Sequence, residues 1–242
     1  MTQPTLARTT ADGRHYPHPI TGTDVPSITT VTSIVTHPAL ERWYAKRTVT
    51  AYLDGARGNV KRALDIAFGS NEASERGDRV HGAIEAALTG VQPDEPLRSP
   101  AEEQMRDRAL ALVREWHLEP VGVEVTRFGL TEANDGYAGT ADLIALQDGE
   151  LIVLDWKTGR LHASAALQGA ALCHAAYDAS GRERPLPVRS YAVGLGSNPR
   201  RVASPKDPER AWRVFSTLVD AWYWRQDEHA ALVGIDEMAS TW

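Results

Sequence analysis

Residues 137–160 read YAGTADLIALQDGELIVLDWKTGR. Two apolar runs, 138–146 and 151–157, flank the polar stretch Gln147–Glu150, whose Asp-Gly pair favours a tight hairpin turn. The stretch therefore predicts two antiparallel strands. Three charged side chains interrupt it: Asp142 in the first run, Asp155 and Lys157 at the end of the second. Aspartate is a poor strand former, and an unpaired buried charge is costly. Side chains alternate along a strand, so Val153, Asp155 and Lys157 share one face, and the turn brings Asp142 to the same end of the hairpin. Two carboxylates so placed repel each other unless a cation lies between them. Hard oxygen ligands suit Mg²⁺ or Mn²⁺. A lysine two residues past the second acid can enter the same site, steer or help deprotonate a water, and offset charge on a phosphate. Two acids, a divalent cation and a lysine are what phosphodiester hydrolysis requires. The plain alternative is a strand-end salt bridge, Asp155 with Lys157 or Asp142 with an arginine. The acid on the preceding strand, the turn, and the glycines Gly139 and Gly159 favour the site.

Outward from the hairpin the period-two pattern continues upstream in VGVEVTRF (121–128), giving three consecutive strands. Downstream, 166–177 reads as helix, 188–195 as strand, and 207–232 as a long helix with Trp212, Phe215, Leu218, Val219 and Trp222 inward. Upstream, 72–89 carries Val80, Ile84, Ala87 and Leu88 at helical spacing, with Gly90 as a stop. Residues 101–117 form another amphipathic helix with Met105, Leu112, Val113 and Trp116 inward. The stretch from Pro26 to Gly55 predicts two short helices, the second beginning at Pro38, whose fixed φ suits a first turn. Residues 1–24 are polar and rich in Pro, Gly and Thr, and predict an extended or mobile arm. The expectation is one compact mixed α/β domain. It comprises that arm, a helical region over 25–118, and a core over 119–242 with a central mixed sheet flanked by helices and a C-terminal helix.

Composition narrows the function classes. The chain has 242 residues, 42% hydrophobic and 24% charged, which suits one elaborated domain. No apolar run approaches the roughly 20 residues of a membrane span, so no membrane partner is expected. The single cysteine, Cys173, rules out an intrachain disulfide and any cysteine-based zinc or iron–sulfur site. The first residues lack a signal-type apolar stretch, and the expected location is the cytoplasm. A net charge of −6 argues against coating nucleic acid non-specifically but leaves room for one basic cleft. Between Arg42 and Arg62 six bases, Lys46 and Arg47 among them, face only Asp54.

GTAD followed by LIVLDWKTG resembles the core of the PD-(D/E)xK nuclease superfamily, in particular its RecB-like, phage-type exonuclease branch. GDRVH (77–81) resembles that branch's helical histidine motif, VEVTRF its glutamate-bearing strand, and ALQGAAL (166–172) the helix after D-x-K. PSITTVTSIV (26–35) and the Trp43 region resemble the start of such exonucleases, so the likeness spans roughly residues 14 to 177. Two departures stand out. Leu172 occupies the place of the branch's usual tyrosine, with Tyr177 more than a turn away. One cysteine in place of four makes the chain similar to the members without an iron–sulfur cluster.

The resemblance implies a restriction-endonuclease-like core. It implies that His81, Asp142, Asp155 and the backbone carbonyl of Trp156 hold Mg²⁺ or Mn²⁺, and that Lys157 positions the attacking water. Glu124 would lie near the metal; by strand alternation it faces away from Val123 and Val125, toward either the site or solvent. Gln168 would touch DNA or support the lysine, with a plain helix-surface amide as the competing reading. Thr158 either holds a phosphate or caps a turn. Trp43, Tyr44 and Tyr52, interleaved with Lys46 and Arg47, either stack bases or belong to a helical core. Glu85, one turn past His81, is read as solvated. The implied activity is a DNA exonuclease acting on linear duplex or single strands in phage or bacterial recombination and repair, within the host cytoplasm if phage-encoded. A single-strand-annealing protein and further copies of the chain are the implied partners. A structure-specific endonuclease and a non-cleaving nucleic-acid-binding module are the alternatives.

Overall fold

Positive φ at both Asp148 (+52°) and Gly149 (+84°) gives the hairpin its tight turn, with Gln147 paired to Glu150. That backbone twist matches the twist of the flanking strands, which is why the Asp-Gly pair was a reliable mark. The computed structural model describes residues 7–10, 12–35, 38–54, 59–63, 72–196 and 201–226. Around the hairpin the chain builds a five-stranded mixed sheet in sequence order: β4 (Glu119–Leu130), β5 (Gly136–Gln147), β6 (Glu150–Lys157), β7 (Arg189–Gly194) and β8 (Arg201–Ala203). The first three form an antiparallel meander; β7 joins β6 in parallel after a helical crossover, and β8 returns antiparallel. The mixed α/β architecture with a central mixed sheet flanked by helices is as the sequence predicts.

Eight elements precede or flank these strands: β1 (Arg8–Thr10), β2 (Gly13–Pro17), β3 (Asp24–Pro26), α1 (Ile28–Thr32), α2 (Pro38–Asp54), α3 (Glu72–Thr89), α4 (Pro100–Glu115) and α5 (Ser164–His174); α6 (Pro208–Gln226) follows β8. One sheet face packs on α3 and α4, where Val80, Ile84, Leu112 and Val113 meet Leu143, Leu154, Trp156 and Val193. The other packs on α1, α5 and α6, where Ile28, Ala171, Leu172, Phe215, Val219 and Trp222 meet Ala141, Ile144 and Val153. Burying this many aliphatic and aromatic groups, each contributing about 1.5–3 kcal/mol, makes the two faces the main source of stability. Gly90 ends α3 at φ +78°, and Pro38 opens α2, both as expected.

Four expectations are corrected. The extended or mobile arm expected over 1–24 is, in its described residues, a packed sheet: β1, β2 and β3 pair antiparallel with His15, Tyr16, His18 and Val25 buried, Tyr16 and Val25 against Phe128 and Ala138 of the main sheet. Proline and polar residues at its ends hide a period-two core. Ala87 is exposed, and Ala83 is the buried small residue of α3. α5 stops at His174, because Tyr177 leaves the helix to pair with Phe128. The strand β8 was not expected at all; with three exposed residues it carries no apolar alternation. The last helix starts as predicted, and residues 227–232 lie outside the described residues.

Candidate metal centre

The register of the meander decides the site. Val123 pairs with Leu143 and Val125 with Ala141, while Leu143 pairs with Leu154. One step along, Glu124, Asp142 and Asp155 therefore fall in one row across three adjacent strands. The β5–β6 ladder ends at Leu143–Leu154. Beyond it, the Trp156 backbone N–H donates to the Asp142 carboxylate (2.5 Å) instead of to a strand carbonyl. The side chain thus satisfies a backbone donor that the separating strands leave free, and the separation opens a cleft of about 820 Å³ at the sheet end.

α3 crosses this opening and supplies His81. Its Nδ1 lies 3.4 Å from Asp142 and 3.8 Å from Glu124, and ligand atoms of all three residues fall within 4.8 Å of one another. Glu124 reaches this position through an unusual backbone. Its φ is +51°, in the left-handed region that costs a non-glycine residue about 1–2 kcal/mol. Strain of this kind persists only where the surroundings hold it, and it gathers at functional sites. Upstream, the β4 register shifts between Pro120 and Gly122, and a Cβ on Gly122 would stand 2.5 Å from Val125, so the irregular stretch also needs that glycine.

Asp155 sits beside the trio rather than in it. Its Oδ2 lies 2.7 Å from Lys157 Nζ, an ion pair that falls short of aligned hydrogen-bond geometry. Lys157 Nζ also donates to Gln168 Oε1 (3.1 Å) on α5. The expected ligand set was His81, Asp142, Asp155 and the Trp156 carbonyl; the side-chain atoms that lie closest together are those of His81, Glu124 and Asp142, with Asp155 adjoining them and one of its oxygens on Lys157. Trp156 buries its indole in the α3/α4 face and lines the cleft at its other end. Thr158 lines the cleft where α3 approaches most closely; a Cβ on Gly77 would meet its hydroxyl at 3.6 Å. Gly139, noted beside the motif, matters for space: a Cβ there would lie 2.2 Å from Ile28 of α1.

Electrostatics mark the cluster as charge-crowded. Burial disfavours the His81 imidazolium, but Asp142 and Glu124 outweigh it and hold its pKa up to about 11. Burial and then repulsion from Asp142 raise Asp155 to about 6, against the pull of Lys157 and His81. Burial raises Glu124, with His81 opposing and Asp142 adding. The imidazolium proton thus offsets acids that a metal cation would otherwise offset.

Several expected residues lie elsewhere. Lys46 is exposed and Arg47 half-buried on α2, and neither lines the cleft. The side chains of Trp43 and Tyr44 lie outside the described residues. Glu85 lines the cleft without bonding His81. Sequence reasoning missed Arg14, Tyr16, Arg160 and His162, which also line it. The strand GRHYP between a glycine and a proline was the available signal for the first two. Compared with known proteins, the chain matches no protein-family model and no curated protein at a significant level. No helix among the described residues is long and apolar enough to cross a membrane.

Proposed function

We infer that the protein is a Mg²⁺- or Mn²⁺-dependent deoxyribonuclease with a PD-(D/E)xK core, acting as an exonuclease in phage or bacterial recombination or repair. One observation carries the reading: His81, Glu124 and Asp142 converge within 4.8 Å beside the Asp155–Lys157–Gln168 chain. The donor set fits a hard divalent cation, with one imidazole and two carboxylates around a point where the carboxylates crowd each other. His81, Glu124 and Asp142 would hold it, with Asp155 adjoining. A divalent ion there would polarise a phosphodiester and make water a better nucleophile at neutral pH.

The chain's own groups do the rest. Lys157 Nζ, fixed between Asp155 and Gln168, directs N–H donors into the cleft, where they orient a water and offset phosphate charge. Gln168 limits the rotamers of a side chain that is otherwise flexible, and so acts through the lysine. Asp155, beside Lys157 on the cleft lining, is placed to accept the proton that the attacking water loses as the new phosphorus–oxygen bond forms, and the departing oxygen takes its proton from solvent water. The exonuclease assignment rests on the motif resemblance.

Calorimetric titration with Mn²⁺, followed by digestion of linear duplex labelled at either end and of a covalently closed circle, tests the reading. Mn²⁺ should bind the wild type and fail to bind Asp142→Ala; linear DNA should be shortened from an end and the circle left intact. Absence of Mn²⁺ binding or of any cleavage overturns the nuclease reading, and cutting of the circle replaces exonuclease by endonuclease.

A further inference from the structure

The cleft lining carries charges of both signs: Asp78, Glu85 and Asp94 from α3 and the loop after it, and Arg14, Lys157, Arg160 and His162 from β2, β6 and the segment after β6. Lys157 is committed to Asp155 and Gln168. Neither Arg14 nor Arg160 makes an ion pair with any carboxylate among the described residues. In a chain of net charge −6, two guanidiniums left without acids beside a crowded acidic centre are conspicuous.

Arg14 is exposed, yet its place is closely fixed. Its backbone N–H donates to Thr30 Oγ1 (2.9 Å), and its carbonyl accepts from Thr30 Oγ1 (3.1 Å) and from the Ser27 N–H (2.8 Å). Gly13 before it takes φ +120°, and a Cβ there would lie 2.6 Å from Thr30, so only glycine lets β2 close on α1 in this way. The guanidinium lies over the Tyr16 ring, 5.2 Å from its centroid. Tyr16 is itself buried, and its hydroxyl is 3.4 Å from that of Thr140, which lies 3.1 Å from that of Thr126. Thr140 is two residues before Asp142 on β5, so the hydroxyl chain joins the Arg14 platform to the strand bearing the site. A cation held over an aromatic face loses less freedom when it binds an anion, and a guanidinium matches two phosphate oxygens at once.

We propose that Arg14 forms a phosphate-binding subsite of the cleft that grips the substrate strand at a phosphate other than the reacting one. The proposal rests on the nuclease reading and adds the N-terminal sheet to the substrate site. A strand in the cleft is repelled by Asp78, Glu85 and Asp94 and drawn to the two guanidiniums, of which Arg14 is the one with its backbone tied to Thr30 and Ser27 and its head over an aromatic ring. Arg14 is a substrate-positioning residue: it orients the strand that Lys157 and the acids act on.

The test measures binding of a short fluorescein-labelled oligothymidylate in Ca²⁺ across a salt series, for wild type, Arg14→Ala and Arg14→Lys. Arg14→Ala should weaken binding about tenfold, the size of one charge-assisted hydrogen-bonded contact. It should also reduce the slope of log affinity against log salt by about 0.7, the loss of one phosphate contact on a single strand. Arg14→Lys should restore the slope with part of the affinity, an outcome that a purely structural role would not give. Mn²⁺ binding should be the same in all three proteins. Unchanged affinity and slope in Arg14→Ala, with a wild type that binds and cleaves, overturn the Arg14 subsite and leave the nuclease reading standing. A wild type that binds Mn²⁺ but neither binds nor cleaves the oligonucleotide overturns both.

Discussion

Replacing Glu124 by glycine and by alanine separates backbone strain from carboxylate chemistry, since both variants delete the carboxylate and they differ only in the backbone's freedom. In an ordinary strand glycine is less stable than alanine by about 0.5–1 kcal/mol, because it loses more conformational entropy on folding. At φ +51° the order changes. An alanine Cβ there crowds the following carbonyl at a cost of about 1–2 kcal/mol, which glycine escapes. Subtracting the mid-range values, about 1.5 less about 0.75, Glu124→Gly should be more stable than Glu124→Ala by about 0.75 kcal/mol. For a chain of this size that is about 1.5–3 °C in Tm. Equilibrium urea unfolding and thermal melts, both with chelator so that metal linkage cannot contribute, give the comparison. Both variants should also lose most of the stabilisation that Mn²⁺ gives the wild type. An alanine variant as stable as the glycine variant, or more so, would refute the reasoning: residue 124 would then have ordinary strand geometry in solution, and its carboxylate would not be aimed at His81 and Asp142.

Lys157→Met should slow cleavage by about 10²–10⁴ while Mn²⁺ affinity is kept, and Asp142→Ala or Asp155→Ala should abolish cleavage with an unchanged circular dichroism spectrum; full activity in any of them removes the assigned role. The His81 pKa is raised above its unfolded value, so its contribution to stability is complete below about pH 6.5 and is lost as pH rises through about 11. The unfolding free energy of metal-free wild type relative to His81→Gln should therefore shrink steadily as pH rises above neutrality, and a constant difference would contradict the His81–Asp142–Glu124 contact. Over the same range Mn²⁺ affinity should rise, because the cation and the proton compete for one imidazole; titration calorimetry at several pH values reads this directly. Gly129→Ala places a Cβ 2.2 Å from the ring of Tyr137, which is buried and tied by its hydroxyl to the Ala171 carbonyl, so the urea midpoint should fall by the equivalent of about 1–3 kcal/mol. An unmoved midpoint would mean that the ring can shift.

The parts of the fold and site legible in the sequence are those where residue type is dictated locally. Asp148-Gly149 had to turn, Gly90 had to end a helix, and the alternation of 138–146 and 151–157 had to make a hairpin with one acid on each strand. The motif residues His81, Asp142, Asp155, Lys157 and Gln168 all line one cleft; the hairpin register accounts for Asp142, Asp155 and Lys157, whereas only the family resemblance pointed to His81 and Gln168, which come from separate helices. What was not legible depends on partners distant in sequence. The N-terminal sheet exists because Phe128 and Ala138 cover Tyr16 and Val25, and nothing within residues 1–24 announces that cover. Glu124 is the instructive case. Strand alternation could say only that it faces away from its neighbours, because alternation assumes that every residue keeps a negative φ. One residue in the left-handed region breaks that assumption. The sequence does mark the irregular stretch, with Pro120 and Gly122 inside a strand that otherwise reads as regular, and those residue types within strands accompany bulges. A proline and a glycine shortly before an acid in a strand are therefore the signal to stop counting faces and to ask what the acid is being turned toward.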